Sequence, residues 1–181
     1  MRQKMKSYLT SVLKEFNTYK TYGERAIQPL TSEEMLWKFN DESNSIAVII
    51  QHLRGNMLSR WTDFFHTDGE KSWRYRDTEF EDIVRTKDEL LQLWEEGWNV
   101  LLKVLENLGE KDLEKIILIR NEPHTVTEAI NRQLAHYASH VGQIIYIARM
   151  IQGANWKSLT IPKGGTEVFN QKKFSQDQGI I

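Results

Sequence analysis

Four stretches of this chain repeat apolar residues every three or four positions, and that spacing commits most of its length to amphipathic helices. The first is predicted from about Lys4 to Tyr22, with Leu9, Val12, Leu13 and Phe16 along one stripe and Gly23 as its stop. The second begins at Asn44 or Ser45, both good helix caps, and carries Ile46, Ile49, Ile50, Leu53, Met57 and Trp61. It should end before His66, because Thr67-Asp68-Gly69 is turn chemistry. The third runs from about Thr78 to Leu108 through Ile83, Leu90, Leu91, Leu93, Trp94, Trp98, Leu101, Leu102 and Leu105, with Gly109 closing it. The fourth spans about Thr125 to Gln152. Thr125 and Glu128 have capping-box spacing, Gly153 supplies the exit, and Ile130, Leu134, Tyr137, Val141, Ile144, Ile145, Ala148 and Ile151 form its stripe.

The connections are unequal. Gln28 to Asp41 is a long first crossover with Pro29 and room for one short helical turn, whereas Lys115 to Arg120 is short and β-branched, with Asn121-Glu122-Pro123 as a turn after it. A small hairpin between the third and fourth helices is therefore expected. From about residue 154 the tail, with Pro162, Gly164 and Gly165, reads as irregular. Four such helices predict an all-α four-helix bundle, a fold in which metal sites are built from side chains on facing helices. The 181 residues, 40% apolar and 27% charged, suit one folded domain over 1–181.

Composition narrows the chemistry. With 24 basic and 25 acidic residues there is no overall field to draw in nucleic acid or an anionic membrane. Met1 to Lys6 is basic, but no apolar stretch follows it, and Ile46 to Ile50 is far short of a membrane span, so a cytoplasmic protein is expected. The chain has no cysteine, so disulfides, thiolate metal sites and a cysteine nucleophile are excluded. Any metal must be held by His, Asp or Glu.

His136 and His140 stand one helical turn apart and project from the same face. Tyr137 occupies the place of the glutamate in the HExxH protease signature, which removes that reading. At about 100° per residue both lie at the edge of the apolar stripe, and His52 takes the matching edge of the second helix. Packed along their stripes, the two helices bring three imidazoles together. The alternative is that each is a half-buried core histidine bonded to a carbonyl or carboxylate. His66 and His124 adjoin turn residues and read as loop histidines.

Asn44-Ser45-Ile46 leading to His52-Leu53-Arg54-Gly55-Asn56, with His136, His140 and Gly142-Gln143-Ile144, resembles the DinB-like superfamily of metal-binding four-helix bundles. Ser59 to Phe64, Asp68 to Lys71, Arg76 to Phe80, Trp156 and Ile161 to Gly165 resemble one uncharacterised branch of it. The resemblance implies one divalent ion, Ni or Zn foremost with Mn or Fe as alternatives, held by His52, His136 and His140. It also implies a homodimer, and relatives that are thiol S-transferases or isomerases using bacillithiol, mycothiol or glutathione.

Three neutral imidazoles leave coordination positions open, as a catalytic site requires. A small thiol entering there would lose its proton near neutral pH and attack an electrophile; a water activated in the same place would make a hydrolase instead. A non-catalytic metal-binding stress or interaction protein is the third class. Asn56, Gln133 and Gln143 are readable either as orienting groups or as ordinary inter-helix polarity. Lys71, Arg74 and Arg76, interleaved with Trp73 and Tyr75, are readable as a grip for carboxylates or as solvated charges pairing with Asp77, Glu79 and Glu81.

Overall fold

In the computed structural model, which describes residues 2–81, 84 and 86–175, the chain is mostly helical with one two-stranded hairpin. In chain order the elements are α1 (Arg2–Ile27), α2 (Ser32–Leu36), α3 (Ile46–Trp61), α4 (Lys87–Asn107), β1 (Ile116–Ile119), β2 (Glu122–Thr125), α5 (Val126–Gln152) and α6 (Thr166–Phe174). α1 packs on α5 and α3 on α4, and the pairs close through contacts of α3 with α5 and α1 with α4. Phe16, Trp61, Trp94, Trp98 and Tyr137 fill the space between them. None of the helices is long and apolar enough to cross a membrane.

The local signals explain where helices begin. Ser45 caps α3 by accepting from the Val48 amide, and Thr31, Thr86 and Thr125 form full capping boxes with Glu34, Glu89 and Glu128. Gly153 leaves α5 at φ 51°, a conformation open to glycine.

Several expectations are corrected. α1 passes through Gly23 and ends at Ile27; the glycine is there because a Cβ would stand 2.4 Å from the Trp94 ring of α4. α4 starts at Lys87 under the Thr86 cap, and Arg76–Phe80 is a separate 3₁₀ turn; Ile83 lies outside the described residues. The hairpin turns at Arg120 and Asn121, both at positive φ, so Glu122 and Pro123 belong to β2. Asp68 holds that turn by accepting from both of its amides, at 2.8 and 2.7 Å. The tail is not wholly irregular, since Gly165 leads into α6. Trp61, Trp94 and Trp98 are core, as their stripes predict, and Trp37 and Trp73, which lie off the stripes, are exposed.

α3 is also more deeply set than an amphipathic stripe requires. All its residues except Arg54 and Leu58 are buried, including Gln51, His52, Asn56, Ser59 and Arg60. Polar groups in such a place are costly unless bonded, so each one needs a partner supplied from elsewhere in the chain.

Candidate metal centre

Those partners come largely from the segment after α3. The side-chain amide of Gln51 donates to the carbonyls of Glu79 and Glu81, at 3.2 and 2.8 Å, and its oxygen accepts from the Val84 amide at 3.0 Å. One side chain of α3 thus pins the 3₁₀ turn and the chain beyond it against the helix. Asn56 accepts from the Tyr137 hydroxyl, which accepts from the Trp61 indole, both at 3.0 Å and all buried.

The same pinning delivers Glu79 to His52. The His52 Nδ1–H donates to Glu79 Oε2 at 2.9 Å, and Arg74 grips the carboxylate through two hydrogen bonds of 2.7 and 2.9 Å. Arg74 is almost fully buried, its side chain 2% exposed, so it is not a solvated loop charge, although its pairing with Glu79 is the one expected. The space for the carboxylate is made by Gly55, where a Cβ would fall 2.0 Å from Glu79 Oε1. Burial works against the Glu79 charge, but the hydrogen bonds from His52 and Arg74 overcome it and hold the carboxyl below its usual range. An ionised carboxylate only accepts, so Nδ1 of His52 carries a proton and, in the neutral ring, Nε2 is the atom left with a lone pair.

α5 brings the other two rings to that lone pair. His52 Nε2 lies 3.4 Å from His136 Nε2, and His136 Nε2 lies 3.1 Å from His140 Nε2. The ligand atoms of all three are within 4.8 Å of one another. Gln143 Oε1 accepts from His140 Nδ1–H at 2.9 Å, which leaves a second Nε2 lone pair facing inward. Gln143 is thus an orienting group, whereas Asn56 serves the tyrosine and the buried Gln133 contacts none of the three rings through a hydrogen bond. Of the remaining histidines, His66 lies in the loop after α3 as expected, and His124 sits within β2 rather than in a loop.

The donor set fits a cation. Nitrogens about 2.0–2.1 Å from one ion stand roughly 2.9 Å apart at right angles and roughly 3.3–3.4 Å apart at tetrahedral angles, a range that takes in the His136–His140 and His52–His136 separations. With Nδ1 protonated on His52 and His140, a lone His136 N–H would serve two inward lone pairs, whereas one cation serves all three rings. Burial, and then the neighbouring His140 and His52 rings, push His136 down to about 3, so it is neutral and free to ligate at pH 7. Burial also lowers His140, against the Gln143 hydrogen bond. A carboxylate behind one ligand and an amide behind another fix ring orientation and raise donor strength, as outer partners of metal histidines do.

The far wall of the centre is aromatic. Phe80 lies against the His52 ring at 5.1 Å, with the Arg76 guanidinium 5.3 Å over Phe80. The sequence points to the three rings but to neither Glu79 nor Phe80 behind them. The only signal was proximity of an acidic turn to a buried helix, which spacing alone does not reveal.

A family model described as a protein of unknown function, DUF1572, matches residues 3–165. The search of the curated proteins finds no match. A solved structure, that of a conserved protein from Enterococcus faecalis, is similar with a TM-score of 0.61 at 16% identity, over 80% of this chain and 96% of that one. At that identity the likeness concerns the fold.

Proposed function

The chain belongs to the DUF1572 family, and from that footing we propose that its work is done at the three-histidine centre, as a divalent-metal-dependent transferase acting on a small thiol. The observation that carries this reading is the convergence of three Nε2 atoms, 3.1 and 3.4 Å apart in sequence of contact, from two helices onto one point. The DinB-like four-helix bundle and the homodimer are part of the same proposal, supported by the resemblance of the motifs around His52, His136 and His140.

A divalent cation held there supplies positive charge that favours the anionic form of a thiol at neutral pH. The chain's own groups prepare for that. Imidazole donors bring no charge to an ion they ligate, and the carboxylate bonded to one of them, Glu79, is already committed to His52 and Arg74. The positive charge is therefore left for an incoming anion. The chain has no cysteine, so the sulfur must arrive with a cosubstrate. Nickel and zinc are among the ions that suit imidazole donors, and they are the ones the resemblance favours, with manganese or iron as alternatives.

The test is metal content. Purified protein should hold one divalent ion per chain, and the triple variant His52→Ala, His136→Ala, His140→Ala should hold none. Equal content in the two removes the proposal. Thiol consumption with a chlorinated aromatic, present with the ion and absent after chelation, then tests the reaction.

A further inference from the structure

Beside the centre, the α2 end and the chain after it face α5 across a cavity of about 710 Å³. Its walls include Trp37, Phe39, Ile49, Tyr146 and Met150, and among the described residues no charged side chain lines it. Gln143, whose oxygen holds His140 Nδ1, is also part of this wall. Ser139 and Gly142, one residue before and two residues after His140 on α5, line the cavity as well. Gly142 leaves the floor open, since a Cβ there would meet nothing within 4 Å.

We infer that this cavity binds the second reactant, an uncharged, largely aromatic electrophile, and presents it to the thiol at the histidine centre. The inference rests on the proposed function and names the substrate class for it. The volume is in the range of small-molecule sites, which are mostly apolar with a few placed polar groups. Phe80 and Glu79 occupy one side of the centre, and Gln143, bonded to His140 Nδ1, is the residue the centre shares with this cavity. Desolvating a charged molecule in walls without a counter-charge is unfavourable, so the occupant is neutral. In the reaction the thiol gives its proton to solvent, the sulfur lone pair forms the new C–S bond, and the carbon–halogen bond breaks with its electron pair leaving as halide.

The experiment measures binding of N-phenyl-1-naphthylamine, an uncharged aromatic fluorophore, to the wild type and to Gly142→Trp and Met150→Asp. Gly142→Trp fills the floor and Met150→Asp places a charge in the wall. Each should weaken the probe at least tenfold, and the anionic 1-anilinonaphthalene-8-sulfonate should bind the wild type less well than the neutral probe. Probe affinity unchanged in both variants overturns the inference, as does a wild-type dimer that Gly142→Trp splits, since a second copy would then occupy the cavity. The probe needs no metal. A protein that binds the probe but no ion therefore fails the proposed function alone, and one that binds the ion but no probe fails this inference alone.

Discussion

Alanine at Gly55 opposes two effects whose sizes can be set against each other. In a helix interior the change from glycine gains about 1 kcal/mol of propensity. Here the new Cβ would stand 2.0 Å from Glu79 Oε1, so the carboxylate has to leave. It is not a free chain end that swings aside at little cost, because it is held at 2.9 Å by His52 and at 2.7 Å by Arg74. Glu79, His52 and Arg74 side chains are 10%, 6% and 2% exposed, so solvent cannot replace what is lost. Hydrogen bonds to charged groups contribute about 1.5–3 kcal/mol each. Loss of even two of the three bonds to Glu79 outweighs the propensity gain, and Gly55→Ala should destabilise the metal-free protein by at least about 2–5 kcal/mol. Without its carboxylate, His52 should also lose orientation, and metal affinity should fall roughly 10- to 100-fold. Urea unfolding of the metal-free protein and zinc titration by calorimetry read the two effects. A double-mutant cycle isolates the cause: in a Glu79→Ala background the same Gly55→Ala change should become neutral or stabilising by about 1 kcal/mol. If Gly55→Ala costs the same in both backgrounds, the clash with Glu79 is not the reason for the glycine.

The metal-free protein should lose stability with acid in a defined window. His136 is pushed down to about 3 from an ordinary 6.5, so between those values the unfolded chain takes up a proton that the folded chain refuses. Stability is then full above pH 6.5 and falls as pH drops towards 3, with His140 adding in the same direction; urea midpoints at pH 7.5 and 5 should differ, and His136→Gln should reduce the difference. Tyr137→Phe removes the acceptor of the Trp61 indole and the donor to Asn56 in a fully buried place. Its cost should be about 1–3 kcal/mol in chemical unfolding, and a neutral result would mean those two groups find other partners.

How much was readable follows from the range of each interaction. α5 was legible at both ends because a Thr-x-x-Glu box and a terminal glycine act within a few residues. Gly23 was misread because a glycine that admits Trp94 and one that ends a helix look alike in sequence. α6 escaped notice because none of its residues is buried and it has no apolar stripe to report. In the centre, the spacing of His136 and His140 and the rotational position of His52 were sufficient to bring the rings together. Glu79 lies 27 residues from His52, beyond the end of α3 and the loop after it, and its arrival depends on Gln51, Gly55 and Arg74 acting jointly. No periodicity encodes such a contact.

His52 and His136 are separated by 84 positions, and both α4 and the hairpin lie between them. A ribosome builds the chain from its N-terminus, so α3 leaves the exit tunnel with a single donor and waits for those 84 positions to follow. Ion capture is consequently a late event in the life of each new molecule, and a chain truncated before α5 retains one imidazole of the three with no mate to share an ion.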